Sequence, residues 1–241
     1  MADSIETVDP YGDIILVVGT NEGQKKLRVS SERLSNSSPV FKALLGPQYS
    51  EGNTIRTSEK PIEVALPDDD ADSMRLVCIL THRTDIPDQD TNVSVERLLA
   101  FAIVVDKYHI SGALRFQSQG LLLSCLCRIP DPANAAPSSS LRSLDRFAHR
   151  VETAIIRPDV HGILVAAAYL LKEPSAFKVA TEKFINDGRL VSGYLDEPFW
   201  SRLPIRLIVV LAERAVRKTW HQGIIPGLDL APFLQIHDAM A

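Results

Sequence analysis

The sequence predicts an α+β fold in its first half, a small mixed sheet flanked by helices, followed by an all-helical C-terminal region. Three observations predict it. Segments 14–18, 25–29 and 62–66 carry strand patterns, each bounded by turn residues. Between and after them lie stretches with helical spacing of apolar residues, opened by Ser or Asp caps. Beyond residue 140 no strand pattern recurs, and every apolar stretch reads as helix.

The elements follow in order. Residues 1–11 are polar and read as a loose N-terminus. Ile14 to Val18 is an apolar run between Gly12 and Gly19, the pattern of a strand buried on both faces. After the turn from Gly19 to Gly23, Lys25, Leu27 and Val29 alternate with Lys26 and Arg28, which predicts the second arm of a hairpin. Ser30 is placed to cap a short helix through Leu34. Ser38-Pro39 is a sharper helix start, because Pro39 fits the first helical position, where its missing N–H costs nothing. Val40, Phe41, Leu44 and Leu45 share one face of that helix, and Gly46-Pro47 ends it.

Gln48 to Lys60 reads as a polar loop. Ile62, Val64 and Leu66 point inward from a third strand. Asp70 caps a helix from about Ala71 to His82, whose inner stripe is Met74, Val77, Cys78 and Thr81, with Leu76 and Leu80 at the margin. After a polar loop from Arg83 to Asn92, Ser94 caps a helix that is apolar nearly all round. Val93 and Leu98 are placed to staple its start. The octet Leu98 to Val105 alone would suit a strand; the cap and the 98/101/102/105/108 spacing predict a central helix to Tyr108. Ser111 is expected to cap the next helix, with Leu114, Leu121, Leu122 and Cys125 along one face.

Residues 129–140 hold three prolines and three consecutive serines, the clearest linker in the chain. It divides a first domain, 12–128, from a helical region, 141–241. There Leu141, Leu144, Ala148, Val151 and Ile155 form one stripe, and Ile163 to Leu171 reads as a buried helix. Phe177, Ala180 and Phe184 line a third helix that ends at Gly188. Pro204 opens a helix to about Trp220, and a short helix follows Pro232.

Composition narrows the function classes. The net charge of −4 gives no reason to expect a polyanionic partner. Residues 1–128 hold 13 basic and 18 acidic side chains, a net −5; residues 129–241 hold 13 and 12, a net +1. Neither half is basic enough to imply nucleic acid. Cys78, Cys125 and Cys127 make an odd count without framework spacing, which predicts a reducing intracellular compartment, cytoplasmic or nuclear. The acidic N-terminus has no apolar core of a signal peptide, and the longest apolar runs fall short of a membrane span.

The ordered pieces of the first domain resemble a BTB/POZ domain in the divergent form abundant in fungal proteins. The resemblance is carried by Gly12-Asp13-Ile14, by Leu27-Arg28-Val29-Ser30-Ser31 leading into Leu34, by Ser38-Pro39-Val40-Phe41-Lys42-Ala43-Leu44, by Ser50-Glu51-Gly52, and by Asp106-Lys107-Tyr108. The helical region resembles the tails of such proteins, most visibly in Ile163 to Phe184. The resemblance implies a non-catalytic protein–protein interaction module, an adaptor or scaffold. It makes Asp13, Leu34, Ser38, Pro39, Phe41, Leu44, Asp106 and Tyr108 core structural positions. In animal relatives a buried aspartate matching Asp13 pairs with a base beside the next helix. Here Ser30 and Ser31 stand at those positions, and Arg33 is the candidate substitute. The eleven residues before Gly12 argue against the strand-swapped dimer that the resemblance otherwise implies.

Other chemistries have weaker support in the sequence than blander readings of the same residues. Cys125-x-Cys127 has no second ligand pair, so no metal and no cofactor is expected. Asp68-Asp69-Asp70-x-Asp72 lacks the glycine and terminal glutamate of a calcium loop and reads as a solvated turn and helix cap. No serine sits in Gly-x-Ser-x-Gly, and no glycine loop cradles phosphate. Cys78 and His82 are spaced to meet on one helix, but the blander reading is a core cysteine and a helix-end histidine whose charge suits the dipole. Catalysis is therefore not expected. Arg206, Arg214, Arg217 and Lys218, with Arg202 and His221, gather near the last long helix and offer a transcription-factor alternative. Glu213 and the apolar run Leu207 to Leu211 favour a solvated basic face on a packed helix. A cullin ubiquitin-ligase adaptor is a further alternative, but Met74 to Asp85 lacks the glutamate that many such adaptors carry there. The outward positions Arg33, Ser35, Asn36, Ser37 and Lys42 are polar, so a monomer or weak homodimer is expected unless the helical region supplies apolar surface.

Overall fold

The computed structural model describes residues 4–20, 23–49, 55–82, 92–129, 160–186, 198–220 and 225–234. The loop 83–91, most of the linker at 130–140, the stripe from Leu141 to Ile155, Ser50-Glu51-Gly52, Gly188 and His221 lie outside the described residues. The chain forms two compact units, 1–122 and 123–241.

The first unit is α+β, as its sequence predicts. Strands β2 (Ile14–Val18), β3 (Lys25–Val29) and β4 (Ile62–Leu66) occupy the expected segments. The sheet has the order β1-β3-β2-β4. β2 pairs antiparallel with β3, Leu16 opposite Leu27, and parallel with β4, Leu16 opposite Val64. Leu16, Leu27 and Val64 are buried together with Ile14, Val18 and Val29. Gly12 marks the entry to β2 for a steric reason. A Cβ there would lie 2.7–2.8 Å from the backbone of Val29, so only glycine permits the approach.

The expectation of a loose N-terminus is corrected. Ile5–Thr7 forms β1, parallel to β3 with Glu6 opposite Leu27. Its own side chains do not explain it, since Ile5 and Thr7 are exposed. Non-local partners do: Glu6 accepts both bonds from Arg75 Nε, at 2.7 and 2.9 Å, and Val8 is buried.

The helices form where their caps place them. In α1 (Ser31–Ser37) the Ser30 hydroxyl accepts from the Arg33 amide; in α2 (Pro39–Leu44) Ser38 accepts from Phe41. α3 (Ala71–His82) starts with the Ser73 amide on Asp70 at 2.8 Å. It is buried almost all round, Ser73 and Ile79 included, and packs on β3, α1 and α4. Thr81, expected inside, is half-buried and returns its hydroxyl to Val77 O. α4 (Val95–Lys107) is capped by Ser94, and Val93 and Leu98 are buried at its start. His109 then takes a left-handed φ of 53°, and Ile110 N–H closes on Val105 O, the C-terminal bond such a residue permits. Ser111 does not cap the next helix. The amides of Ala113 and Leu114 both turn back to Ile110 O, which delays α5 to Arg115–Arg128.

Every regular element of the second unit among its described residues is a helix. In α6 (Val160–Leu170) every residue from His161 onward is buried, which makes it the centre of the unit. Lys172 ends it at φ 56°, with Glu173 N–H on Ala168 O. α7 (Pro174–Asn186) packs on α6 through Phe177, Ala180 and Phe184. A 3-10 turn, Pro198–Arg202, places Trp200 edge-on to Phe184. α8 (Ile205–Trp220) packs on α7, and α9 (Ala231–Leu234) follows. Residues 225–230 form a strap along α7. Asn186 exchanges two bonds with the Ile225 backbone, Leu228 N–H reaches Thr181 Oγ1 at 2.8 Å, and a Cβ on Gly227 would lie 1.9 Å from Lys178 O.

Candidate functional site

The side chains singled out in the first unit converge on two polar clusters. Asp13, at the start of β2, accepts from the Ser31 amide at 2.8 Å and the Ser31 hydroxyl at 2.6 Å, which fixes the first turn of α1. Its cationic neighbour is Arg56, 3.4 Å away, which also donates to Leu45 O. Arg33 is not the substitute. It donates to His82 O at 2.8 Å and lies 3.7 Å from Asp9. Sequence reading missed Arg56 because an arginine in a polar loop carries no local sign of its partner.

The second cluster surrounds Tyr108. Its ring stacks on Phe41 at 4.3 Å, and its carbonyl accepts from the Ser38 hydroxyl at 2.6 Å. Its own hydroxyl donates to Asp69 at 2.6 Å, and Lys107 donates to the other Asp69 oxygen at 2.7 Å. Burial, and then the Asp69 carboxylate, push the Tyr108 hydroxyl well above the ordinary tyrosine range, so it remains a donor. Asp69 is therefore no part of a solvated turn. It is buried, and Asp70 alone among the triplet caps α3. Leu34 is buried, Leu44 half-buried, and Pro39 exposed at the first helical position. Asp106 stands half-buried in the last turn of α4, where its carbonyl accepts from His109.

Cys78 and His82 do meet, but not as thiol and base. His82 Nδ1 is 2.8 Å from the Cys78 carbonyl, and Nε2 accepts from the Ser30 amide at 3.0 Å. These bonds fix the neutral tautomer protonated at Nδ1. Burial lowers the His82 pKa from its ordinary value, so the histidine is not the helix-end charge expected. Burial, with the Glu6 carboxylate, pushes the Cys78 thiol up to about 12. A cleft of about 380 Å³ opens beside this pair, walled by Arg33, Ser37, Thr81, His82, Leu114 and Gln117. Arg33 and both nitrogens of His82 are already engaged there. Among the described residues no three His, Cys, Asp or Glu side chains gather to hold a metal. None of the three cysteines is in a disulfide: Cys78 and Cys125 are buried and Cys127 is exposed. No helix among the described residues is long and apolar enough to cross a membrane.

On α8 the basic residues do not act as one face. Arg206 and Arg217 are exposed, Lys218 is half-buried, and Arg214 donates to Pro226 O at 2.9 Å, tied to the strap. Glu213 is exposed between them. What α8 does present is apolar: Ile205 is 74% exposed, Val209 48% and Val216 46%. On α5, Phe116 is 81% exposed and Leu123 41%, one stripe with Gly120 and Cys127. No protein-family model matches this chain, and no curated protein matches it.

Proposed function

We propose that this protein is a non-catalytic protein–protein interaction module of the BTB/POZ kind, an adaptor or scaffold. The observation that carries the reading is the apolar stripe of α5. A phenylalanine standing in water on a helix whose other side is packed, with a leucine two turns along, is the residue chemistry of a partner anchor. The BTB/POZ part rests on the sequence pieces quoted above, and two of those pieces have local roles that suit a scaffold. Asp13 organises α1, and Lys107-Tyr108 clamps Asp69. An intracellular location, cytoplasmic or nuclear, goes with three cysteines outside any disulfide.

The test is affinity capture of the tagged full chain followed by mass spectrometry, run beside Phe116→Asp and Leu123→Asp. The reading expects a defined set of proteins that both substitutions release. Capture indifferent to both substitutions removes α5 as the docking face. A purified cullin added to the same protein separates the ligase-adaptor alternative from the general one.

A further inference from the structure

One imidazole ties α1 to α3. His82 is the last residue of α3 and Ser30 is the N-cap of α1. The ring accepts the Ser30 amide at Nε2, 3.0 Å away, and its Nδ1 lies 2.8 Å from the Cys78 carbonyl. A neutral imidazole serves both neighbours, because one nitrogen accepts while the other donates. An imidazolium donates from both nitrogens, so it would set a second N–H against the Ser30 N–H.

Among the described residues, three charged or titratable groups face the ring. Arg33, from α1, donates to the His82 carbonyl at 2.8 Å and opposes a positive charge there. Asp9, from the segment before β2, favours that charge, but it also stands 3.7 Å from Arg33. Cys78, one turn back on α3, is buried and stays a thiol. The rest of the cleft wall, Ser37, Leu80, Thr81, Ala113, Leu114 and Gln117, carries no charge.

We propose that protonating His82 parts α1 from the end of α3 and widens this cleft, while the sheet stays paired. The cleft has Arg33 and Ser37 of α1 on one side and Leu80, Thr81 and His82 of α3 on another. Protonation removes the acceptor of Ser30 and places two cations, His82 and Arg33, against each other. α1 can yield locally. It is seven residues long, too short to be stable by itself, and only Ser31 and Leu34 among its residues are buried. It stays tethered at both ends, by Asp13 on the Ser31 amide and by the Ser38 hydroxyl on the Tyr108 carbonyl. The sheet core of Leu16, Leu27 and Val64 contains no group that titrates. Burial chiefly, with Arg33 adding to it, keeps the ring neutral at neutral pH, so the device works in mild acid. It goes beyond the adaptor reading and does not depend on it.

Hydrogen exchange resolved amide by amide on the 15N-labelled full chain, from about pH 7.5 down to about pH 5, tests the device. Rates are corrected for the pH dependence of intrinsic exchange. The protection of the Ser30 amide is expected to fall at least about threefold over that range, with Leu34 following, while Leu16 and Val77 hold theirs. His82→Gln, which cannot take up the proton, is expected to show no such fall. Two charge variants move the midpoint in opposite directions: Asp9→Asn to lower pH and Arg33→Gln to higher pH. A purely structural histidine would not respond in that way, and the pair of shifts carries the test even where His82→Gln fails to fold. Ser30 protection that is level across the range overturns the proposal. So does a loss that Leu16 and Val77 share, a folded His82→Gln protein with the wild-type response, or midpoints that both charge variants move the same way.

Discussion

Tyr108→Phe removes one oxygen from the core of the first unit and leaves the rest of the ring in place. The stack on Phe41 and the Ser38 bond to the Tyr108 carbonyl do not involve the hydroxyl. What is lost is the 2.6 Å bond to the Asp69 carboxylate, a hydrogen bond to a charged group worth about 1.5–3 kcal/mol. Asp69→Ala loses the same bond and also leaves the Tyr108 hydroxyl buried without its acceptor. Stranding a buried polar group adds about 1–3 kcal/mol, so about 3–5 kcal/mol is expected in total. The Lys107 bond adds little, because that ammonium is 47% exposed and water screens it. In the double variant no hydroxyl remains to be stranded, so it should cost no more than Asp69→Ala alone. The coupling is then at least the cost of Tyr108→Phe itself, about 1.5–3 kcal/mol. Urea denaturation of the four proteins at neutral pH, followed by circular dichroism, measures it. Costs that add to within about 0.5 kcal/mol refute the clamp, as does a Tyr108→Phe protein as stable as wild type.

Three further substitutions probe other parts of the fold. Gly227→Ala forces the strap off α7, because the new methyl would lie 1.9 Å from Lys178 O; loss of the Thr181 and Asn186 bonds and part of the Leu228 burial should cost about 3–5 kcal/mol in thermal or urea unfolding. Lys172→Gly relieves a left-handed lysine at the end of α6 and should stabilise by about 0.5–1 kcal/mol, whereas Lys172→Ala should not. His82 has a folded pKa below its ordinary 6.5, so the folded state binds fewer protons than the unfolded one. Its contribution is complete above pH 6.5 and is lost as pH falls through the lowered value. A His82→Gln protein should show a flatter stability profile between that pH and the onset of carboxylate protonation, and an unchanged slope would remove the assignment.

Much of this architecture could be read from the chain because its causes are local. β2, β3 and β4 announce themselves by alternation and bounding turns, and α2 by Ser38-Pro39. α6, α7 and α8 follow from apolar spacing alone. What escaped reading has causes far along the chain. β1 exists because Glu6 meets Arg75 and the backbone of β3 is open beside it. Asp69 sits among three aspartates of which two face water, and only Tyr108, thirty-nine residues on, reveals its role. Arg56 reads as one more loop charge until it is found beside Asp13. The Gly227 strap needs the Lys178 carbonyl, forty-nine residues earlier, to explain its glycine. The exposed stripes of α5 and α8 also escaped reading, because spacing does not tell which of two apolar sides is covered.

The burial of two of the three cysteines gives the chain its own folding reporter. Native protein offers one thiol, Cys127, to a maleimide, and denatured protein offers three. Cys78 lies in the first unit and Cys125 in the second. Cys125 stands on α5, whose residues run across the boundary at 122/123, so the rates at which these two become modified in dilute denaturant, resolved by peptide mass, time the opening around α3 and around α5 separately on the unaltered sequence. At Cys78 the elevated thiol pKa suppresses direct reaction in the closed state, so its modification counts openings rather than leakage.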